Sequence, residues 1–399
     1  MKKTVFTLLL CMSLTSCLNL RTENPWAEAE RTLTVQPLYP DTFPQEALSD
    51  GILRVSSRTR DLSFTCTADS DGLFTLTLPK DSYRAAYSCT YGEYIYNGTL
   101  DRIIIGEENA SADLALSVSK AGNIVFKEIY CGGCTRYPEQ GNYQYDSYVI
   151  LHNNSSQTRY LDSLCFASVD PYRSISTNVW EEDKDFIPVV QAIWQIGGDG
   201  HTFPLEPGAD AVIVIYGAIN HAASYPQSVN LDRENYFVCY NASYFPNTKY
   251  HPAPGSNIRQ DHILNVVIKT GIANAYTFAM QSPAAVIFKA PEGTTIQEFL
   301  EEDGVIIQKP GSTSDKIVKL PSSWVMDGVE VFEKNGNNRK RLPSAIDAGA
   351  VDFSGPYNGH TLFRNTDEQA SAICGFEVLT DTNNSTSDFY ERETQSLHE

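Results

Sequence analysis

The chain has 399 residues, with 30 Lys or Arg against 49 Asp or Glu, and its formal net charge at pH 7 is −19. Such a polyanion excludes nucleic acid as a partner, because contacts to phosphates need clustered basic side chains. It also repels anionic lipid headgroups, so a membrane attachment has to come from a lipid and not from a basic surface. The length allows two or three domains with sizeable cores.

The N-terminus has the pattern of a bacterial lipoprotein signal. Lys2 and Lys3 open the chain, an apolar run covers residues 5–12, and Leu-Thr-Ser stands directly before Cys17. A basic start, a short apolar run and small residues before the cut are typical of a secretory signal, and the run is too short to span a bilayer, which takes about 20 residues. We therefore predict that residues 1–16 are removed as the signal peptide. Cys17 then becomes the acylated first residue, which attaches the protein to a membrane through lipid.

A polar tether over residues 17–30 is followed by a region in which apolar and β-branched residues alternate. Alternation with a period of two predicts strands with one buried face. Asp69-Ser70-Asp71-Gly72 is interpreted as a hairpin turn between two of these strands. The predicted strands cover residues 33–35, 52–56, 62–66, 73–78 and 84–90.

The order of these strands, with Leu73-Phe74-Thr75-Leu76-Thr77-Leu78-Pro79 directly after the Asp-Gly turn, resembles the transthyretin-like (carboxypeptidase regulatory-like) β-sandwiches. The resemblance covers residues 31–118, and we assign residues 31–120 to a first domain of this kind. In surface proteins of bacteria such sandwiches often serve as N-terminal spacers, and this is what the resemblance implies here.

A second domain is predicted over residues 121–399, after the boundary at Lys120-Ala121-Gly122. Its first strands are expected at 124–130, at 146–151 running into Asn-Asn-Ser-Ser, and at 160–167, and a buried strand follows at 211–216. This order resembles the lamin-tail-like immunoglobulin fold. The resemblance implies an immunoglobulin-like β domain with long insertions.

Further motifs follow in order at residues 284–289, 320–330 and 381–389. Together with the two units and the lipidated start they resemble Bacteroidetes lipoproteins of the family called domain of unknown function 4876. The resemblance implies an all-β fold and an outer-membrane location, with the lipid as the link to the membrane. Whether the protein faces the periplasm or the cell surface stays open.

Four cysteines are candidates for disulfides. Cys131 and Cys134 form a C-x-x-C pair, but Pro and Gly in the residues that follow predict a loop where a thiol-exchange enzyme has a helix. The pair is expected to be a loop-closing disulfide or two bare thiols. Cys66 and Cys89 lie on strands of the first domain, and either pair with each other or stay as two half-buried thiols.

Cys165 and Cys374 lie in apolar runs, and both are predicted to be buried. No metal site is predicted, because zinc would need two more ligands beside the C-x-x-C pair. The seven histidines are scattered without a catalytic spacing, and His221 is interpreted as a loop residue. A short amphipathic helix is expected over residues 295–302. The turn at 381–388 is interpreted as an Asx-type turn before the last strand.

An aromatic insertion supplies the candidate ligand contacts. Tyr236, Tyr240, Tyr244 and Phe245 stand in a Pro- and Asn-rich loop, where aromatic rings either stack on a ligand or pack into the sheet. We expect a non-enzymatic outer-membrane lipoprotein, a binding or accessory component of an uptake system for nutrients or metal complexes with an outer-membrane transporter. The alternatives are an envelope enzyme, thiol-disulfide or hydrolytic, and an adhesive module. No cofactor is expected.

Overall fold

A computed structural model describes most of the chain. The described residues are 30–41, 43–92, 94–137, 139–180 and 185–398. The predicted signal peptide and Cys17 lie outside them, as does the tether except for its last residue. In the described part the protein is all-β, as predicted, with three short α-helices. None of the helices found there is long and apolar enough to cross a membrane.

The first eight strands build one sandwich. They are β1 (Glu30–Leu38), β2 (Ile52–Ser57), β3 (Ser63–Thr67), β4 (Phe74–Pro79), β5 (Asp81–Tyr91), β6 (Tyr94–Ile105), β7 (Ala110–Ala115) and β8 (Ser117–Ser119). One sheet has the order β4-β1-β7 and the other the order β3-β2-β5-β6-β8. Leu33 and Val35 from the first sheet share a core with Leu53 and Val55 from the second. The period of two in each strand places these side chains on one face.

The turn before β4 joins two sheets and is not a hairpin. Asp69 Oδ1 accepts hydrogen bonds of 2.9 Å from the backbone N–H groups of Asp71 and Leu73, and Gly72 has a φ of +78°. The predicted turn is therefore present. However, β4 pairs with β1, and β3 pairs with β2, so the hairpin interpretation is wrong.

The remaining strands and the helices form a larger unit. The strands are β9 (Ile124–Tyr130), β10 (Cys134–Thr135), β11 (Asn142–Tyr143), β12 (Tyr148–Asn153), β13 (Arg159–Tyr160), β14 (Cys165–Val169), β15 (Phe186–Gln195), β16 (Pro204–Leu205), β17 (Asp210–Val214), β18 (Phe237–Val238), β19 (Asn265–Lys269), β20 (Ala284–Phe288), β21 (Ile306–Gln308), β22 (Lys316–Pro321), β23 (Val325–Glu333), β24 (Val351–Phe353), β25 (Thr361–Arg364) and β26 (Phe389–Arg392). The helices are α1 (Ile296–Leu300), α2 (Glu368–Cys374) and α3 (Ser385–Asp388), and 3₁₀ turns cover Gln45–Asp50, His221–Ala223, Gln260–His262 and Ser322–Trp324.

Two large sheets enclose the main core of this unit. The six-stranded sheet has the order β18-β17-β12-β9-β25-β26, and the eight-stranded sheet has the order β21-β22-β15-β14-β20-β23-β24, with β19 on β15. Val149 and Leu151 of β12 meet Phe166 and Trp194 of the opposite sheet in this core. Ile150, between them in the sequence, lies in a second apolar cluster on the outer face. Because neighbouring side chains point to opposite faces, a strand buried on both sides is apolar throughout.

Of the helices in the larger unit, α1 was predicted from the sequence and α2 was not. Helix α1 falls within the predicted residues 295–302. It begins at a capping box, in which Thr295 Oγ1 accepts from the Glu298 N–H at 3.2 Å and the Glu298 carboxylate accepts from the Thr295 N–H at 2.9 Å. Helix α2 was not predicted, and it carries Cys374 into solvent. The prediction that Cys374 is buried is wrong, whereas Cys165 is buried as expected.

Candidate functional site

The C-x-x-C motif forms a tight loop at the end of β9. Gly132 and Gly133 have φ values of +98° and +99°, in the left-handed region that favours glycine. A Cβ on Gly133 would also lie only 2.8 Å from Cδ1 of Tyr357. The Gly133 N–H donates a 2.8 Å hydrogen bond to Asp146 Oδ1. Both glycines are therefore explained by the backbone of the loop.

The two thiols of this motif are free and buried. Burial raises the pKa of Cys134 to about 12 and raises the pKa of Cys131 still further. Thiol exchange needs a thiolate at neutral pH, which requires a lowered pKa. Of the two expected forms, the structure has bare thiols and not the loop-closing disulfide.

Cys66 and Cys89 are also unpaired. They lie on β3 and β5, and β2 runs between these strands in the same sheet. Two strand spacings amount to about 9.6 Å, whereas a disulfide joins Cα atoms at about 4.4–6.8 Å. Of the two alternatives left open by the sequence, the structure therefore has two separate thiols.

A buried carboxylate holds the C-x-x-C loop against the neighbouring 3₁₀ turn region. Asp146 is fully buried, and its Oδ2 accepts from Ser228 Oγ at 2.6 Å and from the Tyr130 hydroxyl at 3.1 Å. With the bond from Gly133, this carboxylate has three donors. A buried charge needs such partners, since an unpaired one is costly. Asp146 thus fixes the loop from below through a buried hydrogen-bonded cluster, which we call the Asp146 cluster.

His221 lies in the same buried region as the Asp146 cluster. It lies in the 3₁₀ turn of a connecting segment, and its side chain is only 1 % exposed. Nε2 contacts the Gly217 carbonyl oxygen, and Nδ1 lies 2.6 Å from the Tyr143 hydroxyl. Burial lowers the pKa of His221, which favours the neutral ring. In that form Nε2–H donates to Gly217 and the Tyr143 hydroxyl donates to Nδ1.

Five tyrosines lie over the buried region around Asp146 and His221. They make a surface that we call the tyrosine surface: Tyr143, Tyr145, Tyr225, Tyr250 and Tyr357. The ring of Tyr143 has its centroid 4.5 Å from that of Tyr225 and 5.3 Å from that of Tyr145. Tyr145 in turn lies 5.3 Å from Tyr250. Tyr143 is nearly buried, and the other four are half-buried, so they combine fixed rings with access to solvent.

Polar groups lie between the rings of the tyrosine surface. The Tyr357 hydroxyl donates to Gln144 Oε1 at 3.0 Å, and the Arg136 guanidinium lies 5.7 Å from the centroid of Tyr225. The Tyr225 hydroxyl donates to Glu139 at 3.4 Å. Aromatic faces beside hydrogen-bonding groups suit a ligand that is apolar on its faces and polar at its edges, as a sugar ring is.

The aromatic residues predicted as ligand contacts differ in burial and in packing. Phe245 is 1 % exposed and stacks on Trp194 at 5.6 Å, so it is a core residue and the prediction for it is wrong. Tyr236 and Tyr240 are half-buried and pack against an apolar cluster of the larger unit. Tyr244 is 44 % exposed. The same insertion supplies Tyr250 to the tyrosine surface.

The segment 381–388 does not offer free oxygens for a cation. Asp381 and Asp388 both face the guanidinium of Arg364, at 3.0 and 3.6 Å. Asn384 Oδ1 accepts from the Thr386 N–H at 3.2 Å and caps α3, which leads into β26. Across the described residues, no group of three or more His, Cys, Asp or Glu side chains is placed to hold a metal ion.

These observations define the class of the protein: an all-β protein of packed sheets with a solvent-accessible tyrosine surface. Residues 206–396 match the model of the family described as "Protein of unknown function (DUF4876)", so the expected resemblance to this family is confirmed. A DUF4876 family protein from Bacteroides thetaiotaomicron VPI-5482, known from its crystal structure, is similar with 24 % identity and a TM-score of 0.57. The match covers 90 % of this chain and 94 % of that one, and it shows the shared fold.

Other comparisons add little. A DUF3823 family protein from Parabacteroides merdae ATCC 43184 matches with 11 % identity over 43 % of this chain and 83 % of that one. Its TM-score of 0.17 does not establish a shared fold. Among curated proteins nothing matches the sequence.

Proposed function

We propose that the protein is a non-enzymatic outer-membrane lipoprotein that binds a sugar-containing ligand on the tyrosine surface. In this role it is an accessory component of an envelope uptake system and acts beside an outer-membrane transporter. The tyrosine surface is the observation that carries the proposal. The lipid attachment at Cys17 rests on the signal pattern in residues 1–17.

The tyrosine surface is suited to binding because its rings are held in place before a ligand arrives. Tyr143 is fixed by His221, and Tyr357 is fixed by Gln144 and by its contact with Gly133. Tyrosine has few rotatable bonds, so ordering such rings costs little conformational entropy on binding. The remaining exposed ring area is then available to the ligand.

The raised thiol pKa values weigh against the alternative of a thiol-disulfide enzyme. A poised cysteine is partly exposed and lies in an electropositive setting, whereas Cys134 is buried and lies near the Asp146 carboxylate. The third alternative, an adhesive module, would use the same tyrosine surface for a protein partner. The experiment below separates it from sugar binding.

The test uses the lipidated full chain in detergent, screened on a glycan array, with the affinity of any bound glycan then measured by calorimetry. Tyr225→Ala and Tyr250→Ala should each weaken binding at least tenfold, since stacking on each ring is lost. Tyr390→Ala is the matched control, because this tyrosine is 43 % exposed on β26 and is not part of the tyrosine surface. Equal affinities in all three variants would contradict the assignment of this surface.

The accessory role is tested separately by a cross-linked pull-down from the native envelope, with mass spectrometry of the partners. We expect an outer-membrane transporter in stoichiometric amount. Recovery of other surface proteins, together with no glycan binding, would support the adhesive alternative instead. A transporter that is captured equally by the Tyr250→Ala variant would place the transporter contact elsewhere on the protein.

A further inference from the structure

A second candidate site lies where the first sandwich meets the larger unit. A cleft of about 170 Å³ opens there, and we call it the basic cleft. Its lining contains five cationic side chains, four from the first sandwich and one from the larger unit: Arg54, Arg58, Arg60, Arg84 and Lys334. The cleft shares no residue with the tyrosine surface. In a chain of net charge −19 such a concentration of positive charge is unexpected.

Part of this charge is neutralised within the protein. Arg60 Nε lies 2.8 Å from Asp81, and Arg84 Nε lies 2.6 Å from Asp101. Of the three acidic residues that line the basic cleft, Glu333 accepts from Arg173 Nε at 3.0 Å. These pairs are local and satisfied.

Three of the cations have no such partner. Within the described ranges, no carboxylate lies within 4 Å of the charged nitrogens of Arg54, Arg58 or Lys334. Asp61 and Asp352 also line the basic cleft without an ion pair there. Among the described residues, the three cations without an ion pair therefore exceed the two unpaired carboxylates of the lining by one charge.

Arg58 is the most constrained of these cations. It is half-buried, and its Nη2 donates to Asn338 O at 3.0 Å and to Asn337 Oδ1 at 3.2 Å. Both acceptors belong to the larger unit, on the opposite side of the cleft. Both acceptors are neutral. Burial lowers the pKa of Arg58, and nearby arginines, Arg84 among them, lower it further against the attraction of Asp101. A cation held in this way gains more from an anion than an exposed one does.

We infer that the basic cleft binds a phosphate or sulfate group of a small ligand. A tetrahedral oxyanion offers several acceptor oxygens to the three cations of the lining that have no ion pair in the described part of the chain, Arg54, Arg58 and Lys334. Guanidinium groups recognise such oxyanions through paired N–H donors, and the strongest hydrogen bonds are those between charged groups. The walls come from two units, so the bound anion bridges Arg54 and Arg58 of the first sandwich to Lys334 of the larger unit.

The bridge would add an ionic contact to hydrogen bonds between neutral groups that already join the two units. Asn97 Nδ2 donates to the carbonyl oxygens of Thr382 and Asn383 at 2.7 and 3.0 Å, and Thr99 Oγ1 donates to Ala348 O at 2.7 Å. A ligand that binds only the folded protein raises its unfolding temperature, and the rise grows with the logarithm of ligand concentration above the Kd. Anion binding should therefore be visible both as heat of binding and as a thermal shift.

The test titrates the full chain with inorganic phosphate and with sulfate at low ionic strength, and with glucuronate as a singly charged carboxylate for comparison. We expect saturable binding of one or both tetrahedral dianions, a matching rise in Tm, and at least tenfold weaker binding of glucuronate. Arg54→Gln and Lys334→Gln should each weaken dianion binding at least tenfold. Neither side chain has a hydrogen bond or ion pair in the described structure, so both variants should fold.

Arg259→Gln is the control, because Arg259 is exposed away from the basic cleft and pairs with Asp261. Absence of dianion binding would overturn the inference. So would equal binding in the cleft variants and in the Arg259→Gln control, since this would mean an unspecific charge effect. Glucuronate binding as tight as phosphate binding would overturn the choice of a dianion.

Discussion

Arg364 Nη2 donates a 2.6 Å hydrogen bond to Asp327 Oδ2 in the interior of the larger unit, where both side chains are buried. Its other nitrogen Nη1 lies 3.0 Å from Asp381, and its Nε donates to Phe126 O at 2.7 Å. One guanidinium thus joins β9, β23, β25 and the segment before β26. Asp327 Oδ2 also accepts from the Phe126 N–H at 2.7 Å, but Arg364 is the cation that offsets the charge of these buried carboxyl groups.

Replacing this cation should be strongly destabilising. We expect Arg364→Met to lower the free energy of unfolding by about 3–5 kcal/mol, the usual cost of breaking a buried ion pair from one side. Chemical denaturation with fluorescence detection measures it. Arg259→Gln, which breaks an exposed pair, should leave the unfolding midpoint unchanged. A loss below about 1 kcal/mol for Arg364→Met would show that the network is not a structural centre.

The C-x-x-C loop gives a second prediction. Gly133→Ala places a Cβ against Tyr357 at a φ of +99°, and we expect a loss of about 1–3 kcal/mol in unfolding free energy. Gly106→Ala should be close to neutral, because Gly106 lacks a positive φ and has no atom within 4 Å of the added Cβ. Gly200→Ala, at a φ of +106° with open space, measures the backbone cost alone. Equal stability of the Gly133 and Gly106 variants would contradict the described loop.

A third prediction concerns pH. His251 is 2 % exposed, stacks on Tyr240 at 5.1 Å, and accepts from the Asn241 N–H through Nε2. Burial lowers its pKa from 6.5 to about 4. The unfolded chain therefore takes up this proton first as the pH falls, and stability that is complete above pH 6.5 is lost progressively towards pH 4.

The size of this effect follows from the shift, which corresponds to about 3 kcal/mol between neutral pH and pH 4. Other buried groups titrate in the same range, so the measured quantity is the difference in unfolding free energy between the native protein and His251→Gln. This difference should shrink by about that amount on acidification. His201→Gln, at an exposed position, is the control. A difference that is constant from pH 7.5 to 4.5 would show that the pKa of His251 is the same in the folded and the unfolded protein.

The fourth prediction concerns thiol reactivity. Cys374 is exposed on α2, while Cys131 and Cys134 are buried with raised pKa values. In the folded, lipidated protein at pH 7.5, we expect one thiol to react quickly with a chromogenic disulfide reagent, because a thiolate must be both formed and reached. Cys374→Ser should remove this fast phase, and Cys134→Ser should leave it unchanged. Rapid reaction that persists in Cys374→Ser would revive the thiol-exchange alternative.

Strands with strict alternation were predicted well from the sequence. In β4, Phe74, Leu76 and Leu78 are buried and the residues between them are exposed, which is the pattern of a strand with one face in a core. Helix α1 was predicted over residues 295–302 from its apolar and polar spacing, whereas its capping box was seen only in the structure. Helix α2 was missed because Glu368–Cys374 buries no residue and so has no apolar stripe to detect.

The sequence by itself determined the all-β class, the negative charge and the turn at Gly72, because each depends on composition or on neighbours along the chain. The lipid attachment at Cys17 is a prediction from the same kind of local pattern. Only the tertiary structure decided the sites. Tyr143 and Tyr357 share one surface, and Arg58 and Lys334 share one cleft, although each pair is far apart in the sequence. It also separated Cys66 from Cys89 by a strand. Periodicity reports which face of a strand is buried, whereas strand order and the packing of units decide which faces meet.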